Sequence, residues 1–64
     1  MFKQNQSYLV KEDLVYNSNI IKVRILEVTQ TCYRVEWHYA NVYSDYQLKE
    51  VFETNWKLVE DLGI

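Results

Sequence analysis

The segment from Ile20 to Tyr39 constrains the fold of this chain more than any other, because it carries an almost continuous strand pattern. Its second half alternates between two faces without a break: Tyr33, Val35, Trp37 and Tyr39 form one face, and Cys32, Arg34, Glu36 and His38 form the other. A period of two residues is typical of a β-strand with one buried and one exposed face. We therefore predict two antiparallel strands, Ile20–Val28 and Cys32–Tyr39, joined by a turn at residues 29–31.

The first of these strands contains a break in phase. Lys22 and Arg24 alternate with apolar residues up to Ile25, after which Leu26 and Val28 carry the apolar positions. An extra residue inserted into one strand of a pair produces such a shift and bends the strand. We predict a β-bulge near Ile25-Leu26, and strongly bent strands are what a small barrel needs in order to close.

The small size of the chain limits what can stabilise it. With 64 residues it forms one domain, and a domain of this size buries only about 60% of the surface of its unfolded chain. One cysteine and one histidine allow neither an intrachain disulfide nor a Cys/His zinc site, which needs about four ligands. The sequence contains six Tyr, two Trp and two Phe, and these large rings are the expected source of core surface. We expect no metal and no cofactor.

The ends of the chain predict location and domain limits. The polar start is unlike a signal peptide, and no apolar run approaches the roughly 18 residues of a transmembrane helix, so we expect a cytoplasmic protein without membrane contact. Residues 1–7 lack periodicity, which predicts a disordered, frayed terminus. The single domain is expected to occupy residues 8–64.

Two segments allow alternative assignments. Residues 8–16 fit either a helix that begins at Ser7 or a turn at residues 11–13 followed by a strand at 14–16, and the second is favoured. After a loop at Ala40–Asp45, residues 43–54 fit one helix from Asp45 to about Thr54, because Ser44 and Gln47 have capping-box spacing. They also fit a strand with Tyr46 and Leu48 facing inward, followed by a helical turn at 49–53. We favour the strand, followed by a closing strand at Trp56–Glu60 with Trp56 and Leu58 inward.

The resulting order of elements resembles the SH3-like small β-barrels, a five-stranded antiparallel all-β fold with a minor helical turn. The residues that carry the resemblance lie at positions 14–16, 21–25, 33–37 and 49–60. The last of these stretches is similar to the ends of tiny proteins of phages and low-GC Gram-positive bacteria. The resemblance implies a small phage or mobile-element accessory protein that binds and inhibits a host protein, such as a defence component. The acidic loop, paired Tyr motif and Pro of peptide-binding SH3 domains are absent, so binding of Pro-rich peptides is not implied.

The candidate binding residues cluster around one predicted loop. Tyr39, Tyr43 and Tyr46 with Asp45 could form an aromatic cage for a methylated lysine, because cations bind to ring faces. The same tyrosines could instead cover a thin core. Tyr is enriched at interface hot spots, so a protein-binding patch is the broader expectation. Its predicted members are Tyr39, Tyr43, Asp45, Tyr46, Glu50 and Glu53.

Other functions are also open. Lys22, Arg24 and Arg34 could form a basic stripe that binds nucleic acid, although a net charge of −2 is unlike a basic nucleic-acid-binding domain. Self-association into a homo-oligomer is a third alternative. An enzyme is not expected, because no catalytic triad or phosphate-binding loop is present. Cys32 and His38 are separated by roughly 20 Å along one strand, so they cannot act together.

Overall fold

The computed structural model describes residues 2–13 and 19–64, which form one antiparallel sheet and a short helix. The elements are β1 (Ser7–Glu12), β2 (Ile20–Val28), β3 (Cys32–Tyr39), β4 (Asn41–Leu48), α1 (Lys49–Asn55) and β5 (Trp56–Asp61). The five strands are ordered β4-β3-β2-β1-β5. The prediction of a five-stranded all-β protein with a minor helix is confirmed at this level. Within the described ranges, no helix has both the length and the apolar character needed to cross a membrane.

The central hairpin has the predicted bounds. Val23 of β2 lies opposite Trp37 of β3, and the register shifts between Ile25 and Glu27, so the predicted bulge is also confirmed. The turn contains no glycine and is closed by hydrogen bonds between Thr29 and Cys32. The Thr29 N–H donates to the Cys32 carbonyl at 2.9 Å, and the Cys32 N–H donates to Thr29 Oγ1 at 2.9 Å.

The first strand differs from the prediction. β1 occupies Ser7–Glu12, so the predicted turn at residues 11–13 and the alternative helix from Ser7 are both wrong. The predicted strand at 14–16 lies outside the described residues. β1 pairs with both β2 and β5, and Val10 stands between Ile21 and Leu58. Leu9, on the outer face, is apolar like Tyr8 and Val10 on the inner face. Residues 8–10 therefore show no alternation of apolar and polar residues in the sequence.

The segment before β1 packs against the sheet, in contrast to the predicted frayed terminus. The side chain of Phe2 is 8% exposed. The Asn5 N–H donates to the Ile25 carbonyl at 2.6 Å, and the Ile25 N–H donates to the Gln6 carbonyl at 3.0 Å. Asn5 has φ 67°, a left-handed conformation that Asn tolerates better than most residues. Asn5 and Gln6 therefore extend the pairing of β2 at its bulge.

The core lies between the sheet and α1. Phe52 of α1 is fully buried, in agreement with a helical turn that places one aromatic ring in the core. The buried apolar residues are Phe2, Tyr8, Val10, Val23, Ile25, Tyr33, Val35, Trp37 and Phe52. Rings supply more than half of this set, as expected for a small domain that must bury enough surface with few residues.

The hairpin between β3 and β4 is tighter than predicted. Tyr39 pairs with Asn41 across Ala40, whose φ of 62° turns the chain. The predicted loop over Ala40–Asp45 is therefore wrong, as is the alternative helix from Asp45. The favoured alternative, a strand followed by a helical turn, is confirmed by β4 and α1.

This turn also fixes which side chains of β4 face the core. Tyr43 lies opposite the buried Trp37, whereas Tyr46 lies opposite the exposed Arg34. The prediction that Tyr46 and Leu48 face inward is wrong, because these side chains are on the outer face and are 58% and 56% exposed.

The closing strand β5 agrees with the prediction at one end. Trp56 packs on Trp37 with ring centroids 5.0 Å apart. Leu58 lies opposite the buried Val10, which puts it on the predicted face, yet it is 54% exposed because β5 is an edge strand.

Candidate binding cleft

The inner face of β4 extends beyond the aliphatic core and carries polar side chains. Trp37 lies opposite Tyr43, and Val35 lies opposite Asp45. Since β4 is an edge strand, these side chains border solvent as well as the core. They form an open cleft of about 220 Å³ lined by Ile21, Trp37, Tyr39, Tyr43, Asp45, Gln47 and Trp56.

The inner rings of the cleft are held by the core. Trp37 is 6% exposed and packs against both Trp56 and Phe52, with centroids 5.0 Å and 5.8 Å away. Trp56 in turn stacks on Phe52 at 6.5 Å. This packing fixes the two indoles before any ligand arrives, so binding would cost little additional side-chain order.

The outer rings of the cleft are tyrosines. Tyr39 and Tyr43 are 51% and 54% exposed. The hydroxyl of Tyr39 accepts a hydrogen bond from Asn19 Nδ2 at 3.3 Å, which links this wall to the residue before β2. Half-exposed rings beside fixed indoles offer apolar contact area to a bound group, and each hydroxyl can also form a polar contact.

Asp45 places a negative charge beside these rings. Its Oδ1 accepts a hydrogen bond from Trp37 Nε1 at 2.8 Å, and Gln47 Nε2 donates to its carboxylate at 3.3 Å. A carboxylate has about four acceptor positions, so it can accept further hydrogen bonds from a ligand. Ring faces and a carboxylate together attract a cation.

The structure brings together only part of the predicted patch. Tyr39, Tyr43 and Asp45 line the cleft. Tyr46 lies on the opposite face, where its hydroxyl donates to Glu27 Oε1 at 3.1 Å and its ring centroid is 5.9 Å from the Arg34 guanidinium. Any cage at this position is therefore formed without Tyr46.

The two predicted acids of α1 lie outside the cleft lining. Glu50 is exposed in the first turn of the helix. Glu53 accepts a hydrogen bond from the Tyr33 hydroxyl at 2.5 Å. Burial, followed by this hydrogen bond, raises the pKa of Tyr33 to about 12. Glu53 therefore has a structural contact with the core in addition to its exposed surface.

Sequence reasoning missed four residues of the cleft lining. Trp37 and Trp56 were assigned only to the core, and Ile21 and Gln47 were assigned no role at the site. A usable signal was present for Trp37, because it shares the strand face of Tyr39 two residues away. No comparable signal joins Trp56 to this site, since its position depends on the pairing of β5 with β1.

The cations of the nucleic-acid alternative share the outer face with acids. Arg24 lies opposite Glu36, and Arg34 lies opposite Glu27. Lys22 lies opposite His38, whose Nε2 is 2.8 Å from Glu36 Oε1. A basic stripe that is interrupted by carboxylates attracts phosphate weakly. Binding of nucleic acid stays a prediction.

Two further depressions, of about 310 and 390 Å³, lie beside α1. The smaller one is lined by Phe2, Glu53, Trp56, Lys57 and Leu58, so it combines two rings with both a carboxylate and a lysine, whereas the lining of the larger one contains no ring. In the part of the chain that the structure describes, no group of three or more His, Cys, Asp or Glu residues could hold a metal ion. Comparisons with protein-family models, curated proteins and solved structures found no match to this chain.

Proposed function

We propose that this chain is a non-enzymatic protein-binding module whose cleft receives a lysine or arginine side chain of its partner. One observation carries the proposal: Trp37, Trp56 and Tyr43 line the same cleft as the carboxylate of Asp45. A cation in this position would contact ring faces and a negative charge at the same time.

The size of the cleft supports a side chain as the ligand. Pockets for drug-sized molecules usually enclose about 300–1,000 Å³, and this cleft has about 220 Å³. A long alkyl stem with a cationic end fits such a space and can lie along the indoles. The exposed Tyr39 and Tyr43 would then contact the surrounding surface of the partner.

The cleft alone supplies a modest part of the affinity. A cation–ring contact is worth about 0.5–2 kcal/mol, depending on how far it is desolvated. A micromolar complex needs about 8 kcal/mol, so most of the binding energy must come from the contact area around the cleft. Small cations should therefore bind only at millimolar concentrations, which is measurable by NMR.

The direct test compares a small cation with a neutral molecule of the same shape. Tetramethylammonium is titrated against the isotope-labelled protein while the indole N–H signals of Trp37 and Trp56 are followed, and tert-butanol is the neutral control. We expect saturable shifts of both signals with the cation, and shifts at least about threefold weaker with tert-butanol. Equal responses to the two molecules would contradict a cation site.

Matched variants locate the contact. Tyr43→Ala and Asp45→Asn should each weaken tetramethylammonium binding by about threefold to tenfold, as loss of a contact worth about 0.7–1.4 kcal/mol implies. Tyr46→Ala is the control, because Tyr46 is as exposed as Tyr43 but lies on the opposite face. If Tyr46→Ala weakened binding as much as Tyr43→Ala, the proposed site would be wrong.

The identity of the partner is the more specific part of the proposal. The resemblance supports a small phage or mobile-element accessory protein that acts in the cytoplasm on a host protein. Affinity capture from the host tests this with the same pair of variants: Tyr43→Ala should retain less of the partner than Tyr46→Ala does. Equal amounts of partner on the two variants would show that the partner binds elsewhere.

The strand order supports an SH3-like barrel that is open between β4 and β5. β1 pairs with both β2 and β5. α1 connects the two edge strands, and its buried Phe52 packs against Trp37 and Trp56. NMR distance restraints from the Phe52 ring to both Trp37 and Trp56 are expected. A Phe52 ring that contacts only one of the two indoles would contradict this arrangement.

A further inference from the structure

The outer edge of β4 is the surface from which we draw a further inference. β4 stands at one end of the sheet, and among residues 2–13 and 19–64 only β3 pairs with it. Natural edge strands are usually short or protected by Pro, Lys or bulges. β4 is eight residues long, contains no Pro, Lys or Arg, and pairs with β3 without a register shift. Within the described residues, no strand pairs with the backbone N–H and C=O groups of β4 that point away from β3.

The sequence of β4 is complementary to itself in one register. A two-fold axis perpendicular to the sheet can relate two identical antiparallel strands. Directly opposed side chains lie on the same face of the sheet, so one residue must lie opposite its own copy, and the axis passes between these two copies. An axis at Ser44 sets Val42 opposite Tyr46 on the outer face. On the inner face it sets Tyr43 opposite Asp45, and Asn41 opposite Gln47.

Neighbouring registers fit less well. An axis at Asp45 would place the two Asp45 carboxylates opposite each other, and like charges directly opposed are destabilising. An axis at Tyr43 would pair only residues 41–45 and leave Tyr46 and Leu48 without partners. The Ser44 register instead covers Val42 and Tyr46, which are 62% and 58% exposed in the single chain.

We propose that β4 pairs antiparallel with β4 of a second copy about an axis at Ser44, which gives a continuous ten-stranded sheet. A β-branched residue opposite an aromatic ring is a favourable cross-strand pair, here Val42 with Tyr46. The two clefts then lie on the same face of the sheet, on either side of the axis.

A charge exchange at the opposed pair tests both the dimer and its register. Val42→Glu/Tyr46→Glu places like charges opposite each other twice, whereas Val42→Lys/Tyr46→Glu places opposite charges there. Sedimentation equilibrium from about 10 μM to 1 mM spans the affinities expected of a weak edge contact. We expect the native chain to approach twice its mass of 7.8 kDa. The Glu/Glu variant should dimerise at least about tenfold more weakly than the Lys/Glu variant.

The control for this exchange is on the other edge of the sheet. Val59 of β5 is 43% exposed, and Val59→Glu should leave dimerisation unchanged. Circular dichroism of each variant shows that the monomer is folded. A native mass of 7.8 kDa at every concentration overturns the proposal, and so does equal weakening by the two double variants.

Cysteine cross-linking gives a second test of the register. Directly opposed residues in an antiparallel pair have Cα atoms about 4.5–5.5 Å apart, which permits a disulfide. In a Cys32→Ser background, Ser44→Cys should form a disulfide-linked dimer under mild oxidation. In this register position 47 lies opposite Asn41, so the two introduced cysteines of Gln47→Cys are about 20 Å apart. This variant should form the disulfide at least about tenfold more slowly than Ser44→Cys. Equal rates would overturn the register.

The two proposals can fail separately. Val42 and Tyr46 lie on the outer face, so the Glu/Glu variant should still bind tetramethylammonium saturably, at least as tightly as the native chain because the added charges are negative. A monomer that still binds the cation would refute the β4 pairing alone, and a dimer without cation binding would refute the cleft alone.

Discussion

Replacement of Phe2 by alanine is the sharpest test of the packing described above. Phe2 is 8% exposed. Its ring packs edge-to-face against Tyr8, Phe52 and Tyr33, with centroids 4.9, 5.1 and 5.8 Å away. The lack of periodicity in residues 1–7 predicted a frayed segment. The structure instead makes Phe2 part of the core of a small domain.

The expected loss of free energy of unfolding follows from the burial of the Phe2 side chain. Truncation of a buried Phe to Ala costs about 3–5 kcal/mol. Phe2 keeps 8% of its surface exposed, unlike the fully buried Phe52, so we expect a value near the lower end, about 3 kcal/mol. A domain of 64 residues has a total stability of about 3–10 kcal/mol. The variant should therefore lose between about a third and nearly all of its free energy of unfolding.

Urea unfolding followed by tryptophan fluorescence measures this loss, because Trp37 and Trp56 lie in or beside the core. Ile64→Ala is the control: Ile64 is 80% exposed, and its truncation should change the free energy of unfolding by less than about 0.5 kcal/mol. If Phe2→Ala changed the free energy of unfolding as little as Ile64→Ala, the N-terminal segment would not contribute to the core.

Two further predictions concern stability. Because the pKa of Tyr33 is raised to about 12 in the folded chain, the unfolded chain loses this proton first. The contribution of Tyr33 to the free energy of unfolding is complete below about pH 10 and is smaller by about 2–3 kcal/mol at pH 12. Urea unfolding at several alkaline pH values should show a shallower decline for Tyr33→Phe than for the native chain, and equal slopes would contradict this origin. Ala40 has φ 62°, so Ala40→Gly should raise the free energy of unfolding by up to about 1 kcal/mol in thermal or urea unfolding, since glycine adopts this conformation without strain. A loss of stability would show that the turn is not left-handed.

The central hairpin could be predicted because its signals are local. In Cys32–Tyr39 every second residue is apolar, and the shift after Ile25 marks the bulge directly. The same reasoning failed for β1, where Tyr8, Leu9 and Val10 are consecutive apolar residues. Their strand conformation results from pairing with β2 on one side and β5 on the other, and pairing partners that are distant in sequence leave no local periodicity.

The cleft was predictable only in part for a related reason. Tyr39, Tyr43 and Asp45 were identified because they are close in sequence. Trp56 joins them from the far end of the chain, since α1 returns the backbone to the sheet and β5 pairs with β1. No sequence spacing encodes that contact.

The sequence by itself determined the hairpin, its bulge and the supply of aromatic and acidic side chains for a binding surface. Only the tertiary structure decided how those side chains are divided between the two faces of β4. A change of one residue in a turn moves every side chain of the following strand to the other face. The tight turn at Ala40 set that phase. It placed Tyr43 and Asp45 beside Trp37, and it turned Tyr46 away from them.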